Sequence, residues 1–101
     1  GTLTGLSQTT GVARKTTSST AQYTLFDGDA YGNGSHKVYI KNTSAVATEY
    51  ATIEINSEQM GKLYAGDWCF FPWEANADTN DIKITPSVST SFTLEYALFY
   101  E

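Results

Sequence analysis

One histidine, His36, and one cysteine, Cys69, are the chain's only ready sources of a general base and a strong nucleophile. Nucleophilic catalysis needs a nucleophile, a base and usually a third group that orients the base. His36 stands alone beside a glycine-rich turn, no G-x-S-x-G elbow accompanies it, and it reads as an exposed or edge-strand residue. Cys69 lies between Trp68 and Phe70 with no basic neighbour to lower its pKa, and reads as a buried structural thiol. Carboxylates pair as Asp27 with Asp29 and Asp78 with Asp81, the minimum equipment for glycoside hydrolysis. Both pairs fall in turn-forming sequence, where Asp side chains bond nearby backbone groups. DGDAYGN spaces Asp27, Asp29 and Asn33 like a calcium loop, yet Tyr31 and Val38 stand where an EF-hand needs an oxygen ligand and its bidentate Glu. A looser calcium site requires a second loop, such as EANADTND, to approach. No catalytic residue, metal or cofactor is therefore expected, and an enzyme is the least favoured class.

The balance of side chains narrows the partners. Six Lys and Arg against eleven Asp and Glu leave a net charge of -5, which argues against nucleic acid, whose affinity rests on cations neutralising phosphates. A lone cysteine makes no intrachain disulfide, so packing must supply the stability. No apolar run approaches the roughly 20 residues of a membrane span, and GTLTGLSQTT lacks the regions of a signal peptide, so a mature, soluble chain is expected, with no membrane partner. Two Asn-x-Ser/Thr sequons, at Asn33 and Asn42, are accidents expected of a chain with fifteen Thr and nine Ser.

These residues must be positioned by strands. Thr, Ser, Gly and Tyr dominate while Leu and Glu number six each, and 101 residues suffice for one domain with a real core. Residues 1–19 show no sustained period, ten of the first twenty being Ser or Thr, and read as a flexible N-terminal arm. Residues 20–101 read as a single β-sandwich domain. A short strand ends at Phe26, and FDGDAYGNGS makes a long turn. HKVYIKN places Val38 and Ile40 opposite Tyr39 and Lys41; EYATIEIN places Ala51, Ile53 and Ile55 opposite Tyr50, Thr52 and Glu54. KLYA forms a short strand before a tight turn, WCFFPW a strand that Pro72 must end or place at an edge, and EANADTND a polar loop. DIKITPS turns Ile82 and Ile84 inward, and SFTLEYALFYE alternates Phe92, Leu94, Tyr96, Leu98 and Tyr100 against Thr93, Glu95, Ala97 and Phe99. Seven to eight short strands with no helix-period segment predict an all-β, antiparallel, jelly-roll-like sandwich. YAGDWCFFPW poses the sharpest question. Trp68, Phe70 and Pro72 fall on one side and Cys69, Phe71 and Trp73 on the other, so the strand is buried on both faces or offers one to a partner.

In order over residues 36–101, HKVYIKNTS, YATIEIN, LYAGDWCFFPW, DIKITP and LEYALFYE resemble small β-sandwich structural proteins in the virions of tailed bacteriophages, particularly capsid decoration (cement) proteins. The resemblance implies a chain on the outer capsid surface, often a homotrimer at threefold or quasi-threefold positions, that clamps neighbouring subunits of the major capsid protein. Its partners are then the major capsid protein and itself, and no catalytic residue is carried over. Arg14 and Lys15, the only cationic pair before residue 37, are the expected polar contacts of the arm. Trp68, Phe70, Phe71 and Trp73 are the expected anchors, those outside the core meeting a neighbour. Two other roles compete: a head-tail or tail accessory protein, and a glycan- or receptor-binding module with Trp68, Trp73 and Tyr64 as a stacking platform.

Overall fold

Nine strands and one helical turn are present in a computed structural model that describes residues 8–9, 11–31, 36–75 and 80–100. The strands are β1 (Gln8–Thr9), β2 (Ala13–Thr17), β3 (Tyr23–Phe26), β4 (His36–Asn42), β5 (Tyr50–Ile55), β6 (Glu58–Tyr64), β7 (Trp68–Trp73), β8 (Ile82–Pro86) and β9 (Phe92–Tyr100); α1 (Gly28–Tyr31) separates β3 from β4. They form two antiparallel sheets. One has the order β2-β9-β4-β7, with β1 on the same edge of β9 as β2, and the other the order β3-β8-β5-β6. The chain behaves as one long hairpin whose tip is β5-β6. Outward from that tip, β4 pairs β7, β3 pairs β8 and β2 pairs β9, and the ribbon then rolls so that β4 meets β9 and β5 meets β8.

Alternation fixes which side chains meet between the sheets, because a one-residue slip would turn every apolar residue outward. Val38, Ile40, Phe92, Leu94 and Leu98 from one sheet and Ala51, Ile53, Leu63, Ile82 and Ile84 from the other make a buried core. At one end, the rings of Phe26, Tyr31, Trp73 and Tyr96 close the core with centroids about 6 Å apart, in mostly edge-to-face geometry.

The corners rest on hydrogen bonds. Asn42, fully buried at the end of β4, donates through Nδ2 to Glu49 O at 3.2 Å and Leu63 O at 2.9 Å. Its Oδ1 accepts from Ser44 N at 2.9 Å, so one amide joins the end of β4 to β6 of the facing sheet and to the loop that crosses between them. The second sequon therefore carries a shielded asparagine, and Asn33 lies outside the described residues. Asn56 and Ser57 both take left-handed φ, 53° and 63°, and make the tight β5-β6 hairpin turn. Gly66, with φ 83°, turns Tyr64–Asp67 from β6 into β7, closed by Asp67 N to Tyr64 O at 2.9 Å.

Several expectations are corrected here. Ala13–Thr17, placed in an arm, is a strand paired along β9, and with β1 it extends the sandwich N-terminal to residue 20. An edge strand of ARKTT needs no hydrophobic period, since the threonines favour extended backbone and neither face is buried. Of the other residues of the expected arm, 11, 12, 18 and 19 flank β2 outside any strand, and 1–7 and 10 lie outside those described. β6 begins at Glu58 rather than at Lys62, because the Asn56-Ser57 turn launches it directly. The long turn after Phe26 contains α1, whose first amides are capped by Asp27, with Asp29 N to Asp27 Oδ1 at 2.9 Å. His36 is 5% exposed on an interior strand, against Trp73 at 5.6 Å and Tyr31 at 6.3 Å, rather than exposed or at an edge.

Two strands carry an extra residue. Leu25 on β3 and Met60 on β6 each bulge against a partner that advances by one, and the first bulge lets Leu25 and Phe26 both lean toward the core. Pro72 sits in β7, an edge strand, where its missing N–H costs the ladder nothing if it points outward.

Candidate functional site

The two faces of β7 separate cleanly. Register against β4 aligns Cys69 with Ile40 and Phe71 with Val38, both inward, and Trp73 with buried His36. Trp73 is 4% exposed and donates Nε1–H to Asn80 O at 2.8 Å, which makes it a core residue and removes it from the expected anchors. Phe71 is half-buried and packs against the core on the same inward face. Trp68 and Phe70 point outward and are 64% and 39% exposed.

These two rings belong to a larger surface, the outer face of β2-β9-β4-β7. Register sets it out in rows: Arg14, Glu95, Lys41 and Trp68 in one, Ala97, Tyr39 and Phe70 in the next, Phe99, Lys37 and Pro72 in a third. Phe70 and Phe99 lean together across β4 with centroids 5.9 Å apart. Tyr39 Oη donates to Glu95 Oε1 at 2.9 Å, while Arg14 Nε and Nη2 donate to Glu95 Oε2 at 3.3 and 3.2 Å. The bond from Tyr39, then the guanidinium of Arg14, hold the Glu95 carboxyl below its ordinary pKa. A carboxylate depressed in the folded state contributes stability above its unfolded pKa, and that contribution fades as pH falls through the folded value. Tyr39→Phe and Arg14→Ala are each expected to move the Glu95 midpoint upward in an NMR titration. A midpoint unmoved by Tyr39→Phe would contradict the role given to its hydroxyl.

Arg14 and Lys15 diverge, as neighbours on a strand must. Arg14 joins the outer face, whereas Lys15 places Nζ 4.8 Å from the ring centroid of Tyr23, so both cations have partners within the chain. The expected glycan platform does not assemble: Trp73 is in the core, and Tyr64 stacks on Tyr50 across β5-β6 of the other sheet, centroids 5.1 Å apart. Asp81 Oδ1 accepts from Gly28 N at 2.8 Å, so the two acidic loops do approach each other. Asp27 and Asp81 there serve as backbone acceptors, no cluster of three metal-ligating side chains occurs among the described residues, and Asp78 lies outside them.

A concavity opens between the edge strands β6 and β7, about 470 Å³ and lined by Ile53, Ile55, Met60, Leu63, Cys69 and Phe71 among others. Burial pushes the Cys69 thiol up, which makes it a poor nucleophile at neutral pH. Gly61 lines the same crevice, pairs with inward-facing Ile53, and a Cβ built on it meets nothing within 4 Å. Gly61→Ala is therefore expected to stabilise the fold by about 0.4–1 kcal/mol, chiefly by restricting the unfolded chain. Urea unfolding checks this; a lowered midpoint would refute it.

No protein-family model matches the chain, and no curated protein matches it. Phe99, Tyr39, Lys37 and Lys41 were the members of the outer face that motif reading passed over. Their signal was present in the alternation: each lies opposite the apolar set of its own strand, and only the β4-β9 and β4-β7 registers show that the two exposed sets are adjacent.

Proposed function

We propose that the chain is a structural protein of a tailed-phage virion, a capsid decoration protein of jelly-roll topology that docks on the capsid shell through the outer face of β2-β9-β4-β7. The strand orders β2-β9-β4-β7 and β3-β8-β5-β6 are those expected of an eight-stranded jelly roll, with β1 as a short addition. The observation that carries the docking reading is Trp68, 64% exposed beside Phe70 on a sheet whose other face is already filled by core. Large aromatic side chains left uncovered together, with charged residues around them, are the pattern of a protein-protein hot spot. The sequence resemblance supplies the partner, the major capsid protein, and a homotrimer as the assembly unit. Quantitative mass spectrometry of virions of the phage that encodes the chain is expected to find hundreds of copies per particle. A handful of copies would move the protein to the neck or tail, and its absence from the particle would overturn the proposal. Attachment to stripped shells, followed by cosedimentation, is expected to be lost in Trp68→Ala/Phe70→Ala.

A further inference from the structure

We infer that the surface met by this outer face is an acidic protein surface, an inference that rests on the docking reading above. The whole chain is formally -5, yet the described residues of this face include three of its six cations, Arg14, Lys37 and Lys41, and one of its eleven carboxylates, Glu95. The face is locally positive on a negative protein. Its single acid is engaged by Arg14 at 3.2 Å and by the Tyr39 hydroxyl and also feels the charge of Lys41, its neighbour across the β4-β9 register, while no carboxylate among the described residues lies within ion-pair distance of Lys37 or Lys41. Both lysines lie on the central strand β4 and are half-buried: Lys41 has Trp68 as its β7 neighbour, and Lys37 lies between Phe99 and Pro72. Asp67, at the nearest corner, turns back to accept from Tyr64 N at 3.1 Å.

Three cations against one carboxylate leave the face with a net positive charge, and the ammonium groups of Lys37 and Lys41, outside ion-pair distance of any described carboxylate, are set to receive carboxylates from outside. Covering them removes water, which strengthens a charge-assisted hydrogen bond and penalises a partner that brings none. Nucleic acid is the poorer fit, since a face with so few cations neutralises few phosphates and the protein as a whole repels them. An acidic protein surface with apolar side chains satisfies both the lysines and the rings, and the opposed charges steer the encounter.

The test titrates the full chain with random copolymers, following the fluorescence of exposed Trp68, with poly(Glu,Tyr) as probe and poly(Lys,Tyr) and heparin as comparators. Poly(Glu,Tyr) is expected to bind, with affinity falling as salt rises, and to bind on the order of tenfold more weakly to Lys37→Glu/Lys41→Glu. Lys37→Gln/Lys41→Gln, which removes charge without reversing it, provides a second variant should the first fail to fold. Equal binding of poly(Lys,Tyr), or poly(Glu,Tyr) binding unchanged in the Gln variant, overturns the inference. Tighter, lysine-dependent binding of heparin also overturns it, by assigning the face to a non-protein polyanion. Shell attachment separates the two levels. Loss in Trp68→Ala/Phe70→Ala but not in the lysine variants keeps the docking face and refutes the acidic partner, whereas loss in neither refutes the docking face itself.

Discussion

Asn42→Ala is expected to lower the unfolding free energy by about 3 kcal/mol, a large share of what a domain of this size possesses. The amide is fully buried, and its loss leaves Leu63 O, Glu49 O and Ser44 N without the partner they have in the native fold. Each such orphan costs roughly 1–3 kcal/mol, reduced where water enters the space left by the side chain. Asn42 also joins two sheets that meet mostly through apolar packing, so the same change is expected to loosen the 43–49 crossing. Urea unfolding gives the stability, and amide exchange at Ser44 reports the loop. A loss below about 1 kcal/mol, with Ser44 still protected, would show that the corner holds without the amide.

The second large effect is a contrast between two tryptophans five positions apart on one strand. Trp73→Ala is expected to cost about 3–5 kcal/mol, because it empties a site packed against Phe26, Tyr31 and His36 and strands the carbonyl of Asn80. Trp68→Ala removes a ring that is 64% exposed and is expected to change stability by no more than about 0.5 kcal/mol. Under the proposed docking role, binding reverses the order: the stable variant is the one expected to lose shell attachment, alone in part and with Phe70→Ala completely. Thermal unfolding and cosedimentation on the same preparations test both halves. Equal destabilisation by the two substitutions would contradict the assignment of faces.

How far the sequence disclosed this arrangement depended on whether a strand had one buried face. β4, β5 and β8 bury alternate residues, and β9 does so apart from Ala97, a small side chain covered on the outer face, so their period of two is readable directly. β2 and β6 lie at edges and bury little; in β6 only Leu63 is fully enclosed, so neither leaves a hydrophobic pattern to read. β7 failed for the opposite reason. Both of its faces are apolar, and the decision between them is made by β4, through a register that no local pattern in WCFFPW contains. The same dependence divided the candidate anchors: Trp68 and Phe70 stand on the exposed face, Phe71 and Trp73 do not. His36 was misread because a single polar residue carries no periodicity; its burial follows from sharing the parity of Val38 and Ile40.

The four sheet margins share a property that bears on assembly. Along one sheet, β1 and β2 are parted around Gly11, whose φ is 75°, and β7 carries Pro72; along the other, β3 bulges at Leu25 and β6 at Met60. Every margin is thus interrupted within a few residues, and an uninterrupted template for backbone pairing with another chain is missing from the described strands. The decoration role proposed above would set many copies side by side, and interrupted margins would there guard against strand-to-strand growth into fibrils. In the proposed role, association would then run through side chains on the broad faces, its geometry set by rings and charges rather than by an open hydrogen-bond ladder.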